Sequence, residues 1–405
     1  EEIVVTNPGK IAEKIRTDIK PFPDGTFPPV ILSAPNDLRE IVYKTMHEMY
    51  EYEGKIPEIV EKRVEKELGS IIGNGYSIMY YIAYKLVKKS NSDGYEVGSR
   101  GSVGSSLVAT LSGISEVNPL APHRRCPKCR YSAFDLSGTF GSGYDMPIEP
   151  CPKCGTPMIS DGQDIPFETF LGFKGDKEPD IDLNFSGEYQ PNAHAYTEEL
   201  FGKGKAFRAG TIGTYKDKMA YGCVKDYIMR SLHKELHEVP LAYQSYLASK
   251  CVGVKKTTGQ HPGGIILIPK EFDVHDFTPI QHPADDMTAN WETTHFEFST
   301  IHDTVLKLDL LGHVDPLALK MMGEITGIDF RKIPLGDKNV LSLFSSPNAL
   351  KLKENFLEAK TGTLGLPEFG TNFVQNVLQT AKPKTFNDLL VVSGITHGTD
   401  VWVNN

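Results

Sequence analysis

The sequence has no long apolar run and no cysteine-rich framework. No stretch approaches the roughly 20 consecutive apolar residues that a membrane-spanning helix requires, and no signal peptide opens the chain. There are 6 cysteines and 2 tryptophans among 405 residues. Nothing in this composition suggests a secreted disulfide framework, so a reducing cytoplasm is the expected compartment.

An excess of positive charge is also missing. The 43 basic residues face 52 acidic ones, for a net charge of −9, which disfavours a protein coated in nucleic acid. Local basic stretches do occur, and a solvated surface would also explain each of them: residues 203–208, 216–218, 255–256 and 382–384. The length predicts about two to four domains. Because the chain does not start with Met and stops abruptly at Asn405, we expect a piece of a larger protein.

Two aspartates one residue apart mark the segment Pro179–Phe185, in which Asp180 and Asp182 sit among apolar residues. Alternate residues of a strand point to the same face, where two negative charges are unfavourable unless a cation neutralises them. Paired carboxylate oxygens suit Mg²⁺ and the two-metal sites of phosphoryl transfer. A solvated strand edge is the alternative.

Small and hydroxyl residues make up the segment Gly98–Ser106, which we call the Gly-Ser segment; it contains Arg100 and precedes the apolar run Leu107–Leu111. Such a segment before a helix is typical of a loop whose backbone N–H groups face an anion. The alternative is a flexible turn with an exposed arginine.

Four of the six cysteines form two Cys-Pro-Lys-Cys pairs, Cys126 with Cys129 and Cys151 with Cys154. Four thiolates at this spacing can close a tetrahedral zinc shell, which leaves no open position and so predicts a structural ion. Free thiols or two disulfides are the alternatives.

Charged residues also alternate with apolar ones in a later segment, around residues 305–311. Lys307 and Asp309 alternate with leucines, so they should share one strand face. Lys255–Gly264 leads to the β-branched run Ile265–Ile268, and the glycine pair Gly263 and Gly264, next to His261, permits a close approach. Beside the paired aspartates, Asp309 would become a third metal ligand and Lys307 a cation for phosphate. Other carboxylates compete with Asp309 for that role: Asp285, Asp286, Asp303 and Asp315.

Apolar periodicity predicts several helices. They begin at about Asn36, span Ile56–Leu68 with Gly69 as a stop signal, and cover about residues 77–89, 214–230, 242–251 and 372–380. The proline-rich residues 1–35 are predicted to be extended.

In order, these motifs resemble the C family of bacterial replicative DNA polymerases, in its PolC branch. The resemblance covers nearly the whole chain and is carried by Gly98–Ser106, Pro179–Phe185, Gly259–Gly264, Lys307–Gly312 and Gly398–Trp402, with the cysteine pairs between the first two. Asn184, where other branches carry a third acidic residue, matches the PolC branch.

The resemblance implies an α+β multidomain fold with a polymerase-beta-like nucleotidyltransferase palm. The implied divisions are palm over residues 1–120, 161–210 and 259–315, a zinc-ribbon insert over 121–160, a helical thumb over 211–258 and incomplete fingers over 316–405.

The implied activity is template-directed DNA synthesis from dNTPs on a primer 3′-hydroxyl, with two Mg²⁺ held by Asp180, Asp182 and Asp309 and a structural Zn²⁺. The candidate nucleotide contacts are Gly98, Ser99, Arg100, Ser102, His261, Gly263, Gly264 and Lys307. Expected partners are primer-template DNA and, in the full-length protein, the sliding clamp and other replisome proteins.

Two other functions remain open from the residues. One is a template-independent nucleotidyltransferase, which would need neither the thumb nor the ribbon. The other is a zinc-ribbon nucleic-acid-binding module, inactive as an isolated piece, whose aspartates are incidental.

Overall fold

The computed structural model describes residues 1–16, 25–172, 179–282, 286–289, 291–301, 304–352, 358–398 and 401. Asp285, Asp303 and three members of the C-terminal motif, Thr399, Asp400 and Trp402, lie outside these residues. The chain divides into two compact units, Glu1–Val30 with His194–Leu310 and Ile31–Ala193 with Leu311–Asn405. No helix in the described ranges is long and apolar enough to cross a membrane.

Strands and helices follow one another irregularly along the chain. The strands are β1 (Gly98–Arg100), β2 (His123–Arg125), β3 (Ser132–Phe134), β4 (Ile159–Asp161), β5 (Asp182–Ser186), β6 (Ala206–Thr214), β7 (Lys255–Leu267), β8 (Ile280–Gln281), β9 (Thr293–Glu297) and β10 (Leu306–His313). The α-helices are α1 (Asn7–Ala12), α2 (Ala34–Tyr50), α3 (Glu58–Gly73), α4 (Ser77–Ser92), α5 (Leu107–Leu111), α6 (Glu168–Leu171), α7 (Gln190–Phe201), α8 (Asp217–Arg230), α9 (Leu241–Cys251), α10 (Phe298–Ile301), α11 (Val314–Thr326), α12 (Lys338–Ser342), α13 (Asn372–Ala381) and α14 (Phe386–Thr396). The expected mixture of α and β structure is confirmed.

A mixed sheet forms the centre of the first unit, with β10, β7, β6, β9 and β8 side by side in that order. β7 is antiparallel to β10 and to β6, whereas β6 and β9 are parallel. The core on this sheet contains Phe207, Ile266, Phe277 and Val305. In β10 the alternating leucines Leu306, Leu308 and Leu310 are buried and Lys307 is partly buried, as the alternation predicted.

Helices α8 and α9 are inserted between two paired strands of that sheet. β6 ends at Thr214, which pairs with Lys255 at the start of β7, so the chain leaves and re-enters the sheet at adjacent residues. The two helices pack around Val224 and Ile228. The buried Gln244 amide nitrogen donates to the carbonyl of Val239 at 2.8 Å, which satisfies a polar group inside the helical pair.

In the second unit, helices α2 to α5 surround a separate apolar core. The inner face of α2 presents Leu38, Val42, Met46 and Tyr50 at helical spacing. A small antiparallel sheet with the order β3–β2–β4 carries the cysteine pairs, and α11 packs against β5. Near the C-terminus, α12, α13 and α14 share a core of their own: Leu341, Val374, Val377, Leu378, Leu389 and Val392.

Three elements differ from the sequence-based expectations. Residues 2–12 are helical rather than extended, with a π-helix over Glu2–Thr6 followed by α1, whose first turn accommodates Pro8 because no N–H is needed there. α3 continues past Gly69, where a side chain would meet open space, and ends at Gly73. β7 begins at Lys255, so the glycine-rich stretch before Ile265 lies within a strand rather than before it.

Candidate functional site

The paired aspartates lie at the start of β5. Asp182 is the first residue of the strand and is partly buried, whereas Asp180 is exposed in the segment that leads into it. Ile181, Leu183 and Phe185 are buried and anchor this segment in the core. Anchoring of the alternate residues holds both carboxylates near the start of one strand.

The Gly-Ser segment runs beside these aspartates. β1 is antiparallel to β5, and its register places Arg100 opposite Asp182 and Gly98 opposite Asn184. Directly opposed residues share a face, with Cβ atoms about 4.5–5.5 Å apart. The arrangement therefore brings a guanidinium-bearing residue to the strand position next to a candidate metal ligand.

A 3₁₀ turn over Gly101–Ser105, rather than an irregular loop, follows β1. Gly101 has φ of +73°, a backbone conformation that residues other than glycine rarely adopt. A Cβ at this position would lie 4.0 Å from an Asp182 carboxylate oxygen. Ser102 is partly buried within the turn. The glycine thus lets the backbone reverse close to Asp182.

Ser99 of β1 bonds to an acidic side chain. Its backbone N–H donates to Glu116 Oε2 at 3.2 Å and its hydroxyl donates to the same oxygen at 2.9 Å. The Ser99 hydroxyl also lies 2.9 Å from the hydroxyl of Ser115. Both donors of a residue predicted to contact phosphate are therefore engaged by a carboxylate of the protein.

A buried ion pair supports the far end of the Gly-Ser segment. The Glu67 carboxylate is fully buried and accepts hydrogen bonds from the backbone N–H groups of Leu107 and Val108, each at 3.0 Å, and from the hydroxyl of Ser106 at 2.8 Å. Arg63 donates to Glu67 at 2.5 Å and to the carbonyl of Ser105 at 2.7 Å. Burial raises the pKa of Glu67, and Arg63 opposes that shift.

Sequence reasoning missed this pair. The available signal was the position of Glu67 on the buried face of α3, between Val64 and Ile71, with an arginine four residues earlier. A carboxylate on an apolar helix face requires a partner. Here the partners include the first amides of α5, so that helix start is already occupied by an anion of the protein.

In the first unit, a second group of predicted residues meets across β7 and β10. Asp309 lies opposite Gly264, and Lys307 lies opposite Ile266. His261 Nδ1 accepts from the backbone N–H of Gly263 at 3.2 Å and of Gly264 at 2.7 Å. Because both partners are donors, Nδ1 is the acceptor and the ring proton lies on Nε2.

Phe298 completes this second group. The ring of His261 stacks on it with centroids 4.5 Å apart, and the Lys307 ammonium lies 4.6 Å from its ring centre. A Cβ on Gly264 would lie 2.7 Å from Phe298 and 2.9 Å from His261 Nδ1. The close approach predicted for the glycine pair is thus made by an aromatic ring and an imidazole.

Arg208, from one of the basic stretches, is held by Trp291. The guanidinium carbon lies 4.1 Å from the centre of the indole ring, and the indole N–H donates to Gln260 Oε1 at 2.9 Å. Burial lowers the pKa of Arg208, which stays protonated near neutral pH. The stacked pair could not be predicted because Trp291 carries no motif.

The four paired cysteines come together in the second unit. Their sulfur atoms all lie within 4.8 Å of one another, with Cys126 and Cys154 at 3.4 Å and Cys129 and Cys151 at 3.5 Å. Sulfurs of a tetrahedral zinc site with ~2.3 Å bonds lie about 3.8 Å apart. The cluster has the donors and the spacing to hold one such ion, and all four cysteines are free of disulfides.

The predicted site residues therefore fall into two groups. The second unit holds Gly98, Ser99, Arg100, Ser102, Asp180 and Asp182, and the first unit holds His261, Gly263, Gly264, Lys307 and Asp309. Of the competing carboxylates, Asp286 bonds to the hydroxyl of Thr288 at 2.6 Å, and Asp315 lies 3.2 Å from His313.

Comparison with known proteins adds two family matches. Residues 36–312 match the model of the bacterial DNA polymerase III alpha NTPase domain, and residues 314–405 match that of the bacterial DNA polymerase III alpha subunit finger domain.

Curated relatives resemble the chain along its whole length. It is 56% identical to proteins named DNA polymerase III PolC-type from Halalkalibacterium halodurans and Caldanaerobacter subterraneus, and 54% identical to that of Bacillus subtilis. Each match covers 100% of this chain and 28% of the relative. The resemblance to the PolC branch is confirmed, and the chain belongs to the bacterial DNA polymerase III alpha family.

Proposed function

We propose that the chain is the polymerase core of a replicative enzyme that extends a DNA primer along a template. The observation that carries this proposal is the register of β1 against β5, which sets Arg100 and the Gly101 turn beside Asp182. An anion-binding segment next to metal-binding carboxylates is what transfer of a nucleotide from a triphosphate requires. The family membership and the printed name of the relatives support the same activity.

Asp180, Asp182 and Asp309 would hold two Mg²⁺ ions in this proposal. Carboxylate oxygens are the ligands that Mg²⁺ prefers, and the exposed Asp180 and partly buried Asp182 remain accessible to an ion. Ions held there would supply Lewis-acid activation of a primer 3′-hydroxyl and positive charge opposite the triphosphate. The protein then contributes position and electrostatics rather than a nucleophile.

The nucleotide contacts divide by chemistry. Gly98, Ser99, Arg100 and Ser102 offer N–H, hydroxyl and guanidinium donors to the triphosphate. Lys307 would supply a cation for a phosphate or the primer terminus. The Nε2–H of His261 and the glycines Gly263 and Gly264 would line the nucleotide pocket.

The domain assignment is part of the same proposal. Residues 1–120, 161–210 and 259–315 form the palm, 211–258 the thumb, 121–160 the zinc ribbon and 316–405 the start of the fingers. The paired helices α8 and α9, flanked by Lys216, Lys218, Lys255 and Lys256, suit a duplex backbone. Primer-template DNA, dNTPs, the sliding clamp and other replisome proteins would be partners of the full-length protein in the cytoplasm.

Replacement of Asp182 tests the proposal. Asp182→Asn keeps the shape and removes one metal-binding charge, so we expect primer extension by the full-length protein to fall about a thousandfold or more. DNA binding should stay intact. Glu40→Gln, an exposed change on α2 with the same charge difference, should extend normally.

Template dependence is measured in the same assay. Incorporation that follows the template base supports the polymerase, whereas incorporation that ignores the template would favour a template-independent nucleotidyltransferase. Normal extension by Asp182→Asn would remove the basis of the metal assignment.

Cys126, Cys129, Cys151 and Cys154 would hold one structural Zn²⁺. The backbone N–H of Cys129 lies 3.4 Å from Cys126 Sγ and that of Lys153 lies 3.4 Å from Cys151 Sγ, so amide donors support two of the sulfurs. We expect one zinc per chain by elemental analysis of protein purified without chelator. Cys151→Ser should lower that content, and the exposed Cys223→Ser should not; a zinc-free wild-type chain would contradict the assignment.

A further inference from the structure

The Ser99 donors and the Glu116 carboxylate form a contact that the proposed reaction does not use. One carboxylate oxygen accepts from both the backbone N–H and the hydroxyl of Ser99, at 3.2 and 2.9 Å. This is the arrangement that a phosphate oxygen would adopt on the same two donors. Glu116 is exposed, so its charged group has water as an alternative environment.

Glu67, at the other end of the Gly-Ser segment, provides the contrast. It is fully buried, bonds to two amides, a hydroxyl and Arg63, and could leave these partners only by breaking the core. Glu116 gives up two hydrogen bonds to one residue and gains hydration. Of these two carboxylates, Glu116 is therefore the exchangeable one.

We propose that Glu116 is a competitor built into the protein, whose carboxylate occupies the Ser99 donors that a substrate phosphate would otherwise bind. The inference rests on the proposed function, because it assigns those donors to the triphosphate. An anion must displace Glu116 to bind, so the competition lowers the apparent affinity of every anion that uses the Ser99 donors by the same factor. Ser115, 2.9 Å from the Ser99 hydroxyl, keeps that hydroxyl in place when Glu116 leaves.

Competition of this kind has a defined thermodynamic signature. The apparent dissociation constant equals the intrinsic constant divided by the fraction of molecules in which the donors are free. Removing the competitor raises that fraction and tightens binding. A substitution that only damaged the fold would weaken binding, so the sign of the change separates the two effects.

Calorimetric titration of the full chain tests the proposal. Glu116→Ala should bind Mg²⁺-dGTP and inorganic tripolyphosphate about three- to tenfold more tightly than the wild type does. The affinity of Glu116→Gln should lie between those of the wild type and Glu116→Ala. Ser99→Ala in the Glu116→Ala background should cancel the gain.

Glu96→Gln is the matched control for charge. Glu96 lies three residues before Ser99 and pairs with Arg331 at 3.1 Å, so its loss changes the local charge equally without freeing the Ser99 donors. The affinity of the Glu96→Gln variant for Mg²⁺-dGTP and tripolyphosphate should change less than that of the Glu116→Ala variant.

Unchanged or weaker binding by Glu116→Ala, or a gain equal to that of Glu96→Gln, would overturn the inference. Failure of the proposed function looks different: the wild type would show no preference for Mg²⁺-dGTP over tripolyphosphate, whatever Glu116 does.

Discussion

Because Gly264 has no Cβ, two rings can pack against its backbone beside a candidate site residue. The space that a Cβ would fill is taken by Phe298 and His261. The backbone N–H of Gly264 also orients the imidazole. A residue without a side chain therefore sets the tautomer and position of His261.

Alanine at this position should be costly. Gly264→Ala places a methyl group 2.7 Å from Phe298, and forced shifts in a packed region cost about 1–3 kcal/mol of unfolding free energy. Gly222→Ala, on α8 with open space around the new methyl group, should instead stabilise by about 0.5–1 kcal/mol. Denaturant titration measures both. Equal effects of the two substitutions would refute the packing argument.

Sequence reasoning at this scale is limited by what a residue does at long range. The alternation around Asp309 predicted its strand face correctly, because strand geometry is local. Glu67 escaped prediction because, apart from Arg63, its partners Ser106 to Val108 lie some forty positions away and have no charge. A buried charge satisfied by backbone amides leaves little trace in its own segment.

Among the elements, the start of α14 has its local cap at Thr385 and a second acceptor from a distant segment. The Asp145 carboxylate accepts from the backbone N–H groups of Phe386 at 2.6 Å and Asn387 at 3.0 Å. The ring of Tyr144 meets that of Phe386 edge to face, with centroids 4.9 Å apart. The cysteine-bearing insert thereby touches the start of a C-terminal helix.

Removing this cap should loosen the helix start. Asp145→Ala should lower the stability of α14 by about 0.5–2 kcal/mol, as loss of an N-terminal cap does. Hydrogen exchange of amides near Phe386 should become faster. Asp135→Ala is the control, because Asp135 bonds to Ser137 and Phe140 within its own loop. Unchanged exchange in Asp145→Ala would show that the cap is dispensable.

Helix existence was predictable, and helix or strand boundaries were not. α2, α4, α9 and α13 follow apolar periodicity, which a single segment determines. β7 was misjudged because its glycines and threonines have weak strand preference alone; pairing with β6 and β10 on either side stabilises the strand.

For the whole molecule, stability should depend on pH through His194. Burial, reinforced by the charge of Arg208, lowers the pKa of His194 from 6.5 to about 4. Between those values the unfolded chain binds a proton and the folded chain does not. The contribution of His194 to the unfolding free energy is therefore complete above pH 6.5 and is lost as the pH falls toward 4.

The size of this loss can be measured by substitution. The wild type should lose about 1.4 kcal/mol of unfolding free energy per pH unit through His194 alone in this window. His194→Gln should show a shallower fall between pH 6.5 and 4.5 in denaturant titrations. His237→Gln, at an exposed position, should follow the wild type. A His194→Gln profile parallel to the wild type would disprove this linkage.

The order of motifs predicted the family, and the domain limits stay predictions. The order of the motifs can be read from the sequence because each motif lies in its own helix, strand or loop. Limits such as the one proposed at residue 211 depend on packing; β6 continues to Thr214, beyond that limit.

The pairing of Thr214 with Lys255 also makes the helical pair α8–α9 an exchangeable module. Paired residues of neighbouring strands lie about 5 Å apart, a gap that a two-residue hairpin turn can close. The helices could therefore be shortened, lengthened or replaced without a change in the order or pairing of the strands. In such a layout the helical pair can change in length or sequence while β7, which carries His261 and Gly264, keeps its register.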